Sequence, residues 1–265
     1  MSIEFDVKVI NVNSNKLVFH FINIGDYSED FKSLVDSYIV SIYNSTYDAD
    51  EILDVKNLIK KWFEGKKSDE NKKAGYVAEF ICHLYINQLN YEQHFLFENL
   101  EELGSMKKGF DGLYQKDDEM WLYESKSSLS TTLSANHNSN IGEAYRDIRD
   151  KVKGKKTNNM GDPITPWANA VHHANNAQVD DSKTLIDNLK ELRKRFNRKD
   201  FENIENFNVI PSSTIFLEDR WKTIDNDDLV KKLTKLTVKY KYKNMNILCI
   251  NKKSINSFIR YINEV

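Results

Sequence analysis

The sequence predicts an α/β protein built on a mixed β-sheet core flanked by helices, with an N-terminal α/β region ahead of it. Three observations carry that prediction. Short segments rich in branched and aromatic residues recur along the chain, and between them apolar residues fall at helical spacing. The 265 residues are 40% hydrophobic, enough for one large core or a core with an appendage. The polar run Gly65-Lys66-Lys67-Ser68-Asp69-Glu70-Asn71 is the one convincing internal linker, and it divides an N-terminal region, 1–65, from a larger unit, 70–265.

In chain order, residues 3–24 alternate apolar and polar: Ile3, Phe5, Val7 and Val9, then Leu17, Phe19 and Phe21, around Asn13-Ser14-Asn15. That is the pattern of a hairpin. Ser28 is positioned to cap a helix with Phe31, Leu34, Val35, Tyr38, Ile39 and Ile42 on one stripe. Asp48 and Glu51 have capping-box spacing before a second helix, whose stripe is Ile52, Val55, Leu58, Ile59 and Trp62 and which Gly65 ends. Residues 72–90 give a helix with Val77, Phe80, Ile81 and Leu84 as its core stripe. Glu79 and His83 lie off that stripe, one turn apart, and on periodicity alone they belong to the helix surface. Residues 92–100, with Phe95, Leu96 and Phe97, predict a strand.

Beyond the central hairpin described next, Asn140 and Glu143 mark the start of a helix. Its core face is Ile141, Ala144, Tyr145, Ile148 and Val152, and its other face carries Arg146, Arg149 and Lys153. A short helix runs from about Trp167 to Asn175; its neighbouring His172 and His173 point in different directions and have no evident acid partner. A helix near 183–198 buries Leu185, Leu189, Leu192 and Phe196 and bears Arg193. Residues 209–217 read as a strand that Pro211 assigns to a sheet edge. A helix near 228–236, a strand at 245–250 and a last helix with Ile255, Phe258, Ile259 and Ile262 complete the pattern.

The chemistry concentrates in residues 109–126. Gly109-Phe110-Asp111-Gly112-Leu113-Tyr114-Gln115 and Met120-Trp121-Leu122-Tyr123-Glu124-Ser125-Lys126 flank a charged connection, which predicts paired antiparallel strands. A loop of two or four residues pairs Gln115 with Met120 and sets Asp111 opposite Glu124. Lys126 then shares the Glu124 face, because side chains alternate with period two. Leu113, Met120 and Leu122 lie on that face, with Phe110, Tyr114, Trp121 and Tyr123 on the other, so the sheet is expected to be covered on both sides. Facing carboxylates in such a place repel and need positive charge. Lys126 supplies one charge, and a divalent cation that prefers carboxylate oxygen supplies two. The same residues also suit a salt-bridged edge strand with both acids in solvent.

A helix with Glu79, a strand, Asp111 on a hairpin and then Glu124-Ser125-Lys126 resembles the PD-(D/E)xK nuclease superfamily. Phe110 departs from the Pro of the motif name, and Ser125 stands where an apolar residue is commoner. The resemblance implies a restriction-endonuclease-like fold, with Asp111 and Glu124 as ligands of Mg²⁺ or Mn²⁺. It also implies Lys126 as the group that positions or activates the attacking water, and Glu79 as a further metal contact. At a finer level, Gly75-Tyr76-Val77-Ala78-Glu79, Gly109-Phe110-Asp111-Gly112 and Tyr123-Glu124-Ser125-Lys126-Ser127-Ser128 resemble the HamA family, the nuclease subunits of Hachiman anti-phage defence systems. That resemblance implies DNA as substrate and a superfamily 2 helicase, HamB-like, as partner. The basic faces of Arg146, Arg149 and Lys153 and of Arg193 are expected to meet a nucleic-acid backbone. A stand-alone restriction endonuclease, and a non-catalytic nucleic-acid-binding or adaptor subunit, are the competing readings.

Composition narrows the remaining classes. No run of about eighteen apolar residues exists, and Met1-Ser2-Ile3-Glu4-Phe5-Asp6 lacks the start of a signal peptide, so a cytoplasmic, non-membrane protein is expected. Cys82 and Cys249 sit in apolar contexts and read as reduced core residues, without Cys/His metal spacing. The net charge of −2 offers DNA little long-range attraction, while Lys151 to Lys156 and Arg193 to Lys199 form local basic clusters.

Overall fold

The computed structural model describes residues 5–13, 16–44, 51–66, 68–97, 109–132, 134–177 and 183–264. Among them, seven strands form one mixed sheet. They are β1 (Asp6–Val12), β2 (Leu17–Ile24), β3 (Glu92–Gln93), β4 (Gly112–Lys116), β5 (Glu119–Ser128), β6 (Asn208–Phe216) and β7 (Met245–Lys252), in the order β1-β2-β7-β6-β5-β4-β3. β2, β7, β6 and β5 run parallel, and antiparallel pairs close both ends. Parallel centres need cover on both faces, and every residue of β6 is buried.

Eight helices supply that cover: α1 (Glu29–Asn44), α2 (Ile52–Gly65), α3 (Glu70–Gln88), α4 (His137–Val152), α5 (Pro166–Asn176), α6 (Lys183–Asn197), α7 (Asn226–Thr237) and α8 (Ile255–Asn263). On one face Ile22, Tyr114, Tyr123, Ile210, Leu248 and Ile250 pack with α1, α2, α3 and α8. On the other, Phe19, Leu113, Leu122, Val209, Ile247 and Cys249 pack with α4 to α7. The result is the expected α/β class in three layers. The region before Gly65 gives two strands and two helices to this same sheet, and Asp69 N–H bonding to Lys66 O (3.0 Å) makes the predicted linker a turn. Both cysteines are free and buried.

Several boundaries differ from the sequence expectation for local reasons. Ser28 does cap α1, its hydroxyl accepting Phe31 N–H at 3.1 Å. Asp48 lies outside the described residues, and the Glu51 carboxylate accepts from Asn44 Nδ2 (2.9 Å) instead of closing a capping box. α4 starts before Asn140 because Asn136 caps Ser139 N–H (2.8 Å), and Asn140 turns inward to bond Ser128. The strand expected over 92–100 shrinks to two residues: Gln93 Nε2 donates to Phe95 O (2.7 Å) and Ile42 O (3.1 Å), drawing the chain off the ladder. Residues 98–100 lie outside the described residues.

Pro211 sits at the centre of the sheet, not at an edge. The β5–β6 pairing runs unbroken past it, with Glu124 opposite, while the β6–β7 pairing passes from Val209–Met245 to Ser212–Leu248 and skips residues 210 and 211. A parallel strand sends its N–H groups to its two neighbours alternately, so one missing donor interrupts one ladder only.

Candidate active site

The hairpin register is set at its turn. Lys116 pairs with Glu119, leaving Asp117 and Asp118 as a two-residue loop, both in the left-handed region at φ 51° and 59°. This is the twist a tight hairpin requires, and aspartate tolerates it better than most residues. Gln115 therefore pairs with Met120 and Gly112 with Tyr123, so Asp111, the next residue outward, falls beside Glu124 as the spacing predicted. Only glycine fits at 112: an added Cβ would lie 2.8 Å from Tyr123 Cδ1 and 3.2 Å from His83 Cε1.

β4 begins at that glycine, and Asp111 finishes the ladder in a different way. Its N–H donates to Tyr123 O (3.2 Å), and its Oδ2 accepts the Ser125 N–H (2.8 Å), a donor that a longer β4 would have used. The carboxylate is thereby pinned at the strand end next to Glu124. Phe110 departs from the expected face. It belongs to the cluster of Leu113 and Leu122 and meets Trp167 edge-on at 5.3 Å, because the chain leaves strand geometry before Gly112 and period two no longer applies.

Glu124 is 3% exposed and faces α4. Its Oε2 accepts from Lys151 Nζ at 2.6 Å and its Oε1 from Lys126 Nζ at 3.3 Å. Lys126 Nζ also reaches Asp147 Oδ2 at 2.7 Å, and Asp147 Oδ1 takes Lys156 Nζ at 2.7 Å. Burial pushes the Glu124 carboxyl up to about 7, Asp111 adds to the rise, and the two lysines pull against it. Burial works against the Lys126 charge, yet Glu124, Asp147 and Asp111 together hold its ammonium above the usual lysine range. Burial likewise opposes the Asp147 charge, but Lys126 and Lys156 keep that carboxyl below its ordinary value. The outcome is a chain of alternating charges that fixes the Lys126 head between Glu124 and Asp147.

The sequence reading did not name Asp147, and it had Lys151 only as part of a basic cluster. They stand four apart on α4, one turn of helix, and that spacing in the helix after Glu124-Ser125-Lys126 is the signal that was available. The other basic residues of α4 are elsewhere: Arg146 is exposed, Arg149 Nε bonds Asp150 (2.8 Å) and Lys153 is half-buried, as is Arg193 on α6.

Glu79 is not gathered into this group. α3 packs on the opposite face of the sheet, where the Glu79 carboxylate lies 3.8 Å from His83 Nε2. Burial, with a smaller contribution from Glu79, holds the Tyr114 and Tyr123 phenols on that face well above their ordinary pKa. His83 itself is fully buried and hydrogen-bonds the Tyr114 hydroxyl, which corrects its expected place on a helix surface. His173 is also structural: its Nδ1 accepts Leu96 N–H (3.1 Å) and its ring stacks on Phe95 at 3.8 Å.

The donor chemistry at Asp111 and Glu124 fits a small hard cation. Burial, and after it the neighbouring Asp111 charge, raises the Glu124 carboxyl, and oxygen donors are what Mg²⁺ and Mn²⁺ prefer. Among the described residues, no three His, Cys, Asp or Glu side chains come together as a ready-made metal site. No helix of the described residues is long and apolar enough to cross a membrane. Compared with known proteins, the chain matches no protein-family model, and no curated protein matches it significantly.

Proposed function

We propose that this chain is a metal-dependent nuclease of the PD-(D/E)xK type that acts on DNA as the effector subunit of a helicase-coupled anti-phage defence complex. The observation that carries the reading is the convergence of Asp111, Glu124 and Lys126 on two adjacent strands, with burial and mutual charge raising Glu124. The element order α3-β3-β4-β5-α4 around them supports it, being the order that the resemblance implies.

Asp111 and Glu124 would hold Mg²⁺ or Mn²⁺, which when bound supplies a Lewis acid to the phosphodiester and its attacking water. Lys126, held by Asp147, donates a hydrogen bond to that water or to a non-bridging phosphate oxygen as charge develops there. Glu79, on the other face, has a lesser part than the resemblance assigns it. Exposed Arg146, with Arg149, Lys153 and Arg193, would meet the DNA backbone, and with a net charge of −2 the isolated chain binds DNA weakly until a translocating helicase delivers it.

Glu124→Ala and Lys126→Ala are each expected to abolish cleavage in folded protein, Glu79→Ala to weaken it, and EDTA to stop it. Wild-type cutting by either of the first two variants, or full activity in EDTA, overturns the assignment. Comparing the purified chain with its helicase complex, with ATP and DNA ends varied, tests the coupling; equal ATP-independent cutting by both favours a stand-alone endonuclease. One observation favours a non-catalytic adaptor: Lys126, Lys151 and Lys156 already balance Asp111, Glu124 and Asp147. An adaptor binds no divalent cation at this site.

A further inference from the structure

We propose that Lys151 is a displaceable internal counter-ion: a divalent cation takes its place on Glu124, and the freed ammonium binds a phosphate of the substrate strand, so that cation and DNA bind cooperatively. The inference rests on the nuclease reading above and names how that same site is controlled.

Two ammonium groups contact Glu124, and they are held differently. Lys126 has a second anchor in Asp147 at 2.7 Å, whereas the one carboxylate that Lys151 meets among the described residues is Glu124, at 2.6 Å. Lys151 is therefore the group that can leave without stranding its neighbour. It lies in the last turn of α4, its side chain 14% exposed while Glu124 is 3% exposed, so solvent reaches the lysine more readily than the carboxylate it holds. Its Nζ is 5.9 Å from the centre of the Phe110 ring, an apolar surface along which the flexible stem can swing.

Charge explains why departure is required. Three ammonium groups already balance three carboxylates. A divalent ion added to that set makes it doubly positive in a partly desolvated place, which is costly unless a cation leaves the carboxylates or an anion arrives. A DNA phosphate does both, because it brings a negative charge and offers the Lys151 ammonium a new partner. Each ligand then improves the affinity of the other by the same factor, as linkage demands.

The test is calorimetric titration of the full chain with Ca²⁺, with and without a short duplex, in mildly alkaline buffer where proton competition for Glu124 is small. Wild type is expected to bind Ca²⁺ about tenfold more tightly with DNA present. Lys151→Met, which keeps the stem and loses the charge, is expected to bind Ca²⁺ about tenfold more tightly without DNA and to gain little more when DNA is added. Lys151→Arg, which keeps the charge, should not show that tightening. If Lys151→Met binds Ca²⁺ no better than wild type while Glu124→Gln loses binding, the lysine inference falls and the nuclease reading stands. If wild type and Glu124→Gln bind alike, the nuclease reading falls as well. Absence of any cation–DNA linkage in wild type overturns the inference even if Lys151→Met fails to fold.

Discussion

Asp147 shows how a residue can govern a site without touching what reacts there. It holds Lys126 at 2.7 Å and is itself held by Lys156, so the Lys126 ammonium has one preferred position beside Glu124. Asp147→Asn is expected to lower the cleavage rate by about 10- to 100-fold with little change in DNA affinity, as for other residues that orient a reacting group. Single-turnover rates and DNA binding measured side by side check this, and Asp147→Glu should restore part of the rate; a purely structural role would lower stability and leave the rate of the folded fraction intact. Asp111, Glu124 and Lys126 were legible in the sequence because strand register is local and a two-residue loop fixes it. His83 was misread as a helix-surface residue because amphipathic reasoning assumes a solvent face. From Val77 to Ile86 nearly every residue of α3 is buried, so His83 ends inside the protein and Glu79 faces the side of the sheet away from Glu124.

The hairpin of β4 and β5 is the element on which the site depends, and its turn is strained more than it needs to be. Asp117 and Asp118 both hold positive φ, a conformation that Asn-Gly adopts at lower cost. Replacing the pair, Asp117→Asn with Asp118→Gly, is expected to stabilise the protein by about 0.5–1 kcal/mol without changing register or cleavage. Urea unfolding and a nuclease assay read the two effects; a loss of either stability or activity would show that these aspartates do something beyond turning the chain. The contrast with Pro211 is instructive. A turn is decided by adjacent residues, whereas the edge or centre of a sheet is decided by strand order. Nothing near Pro211 reveals that β7 will arrive on its far side.

For the molecule as a whole, burial of three histidines sets the response to acid. Burial lowers His20, His94 and His137 from the ordinary 6.5 to about 4, with Lys116 adding to the effect on His20. Below 6.5 the unfolded chain takes up protons that the folded protein refuses until about 4, so stability falls as pH drops through that window. Each histidine is worth up to about 3 kcal/mol across it. Glu124 acts in the opposite sense, since its folded carboxyl protonates near 7, ahead of the unfolded value of 4.5, but it is one group against three. The urea midpoint is expected to decline from neutral pH to about pH 4, with a smaller decline in His137→Asn, and a flat profile would contradict the burial of these rings. The α/β class and the order of elements were legible at this scale, because periodicity reports burial. The strand order was not. β6 and β7 lie between two hairpins that precede them in the chain, β1 with β2 on one side and β4 with β5 on the other. A protein growing from the ribosome thus makes both outer pieces before the two strands that join them, and each keeps an unmatched inner border until those strands emerge. The hairpin bearing Asp111, Glu124 and Lys126 precedes its inner neighbour by some eighty residues, so that border of the site stays open during synthesis until residues 208–216 are made.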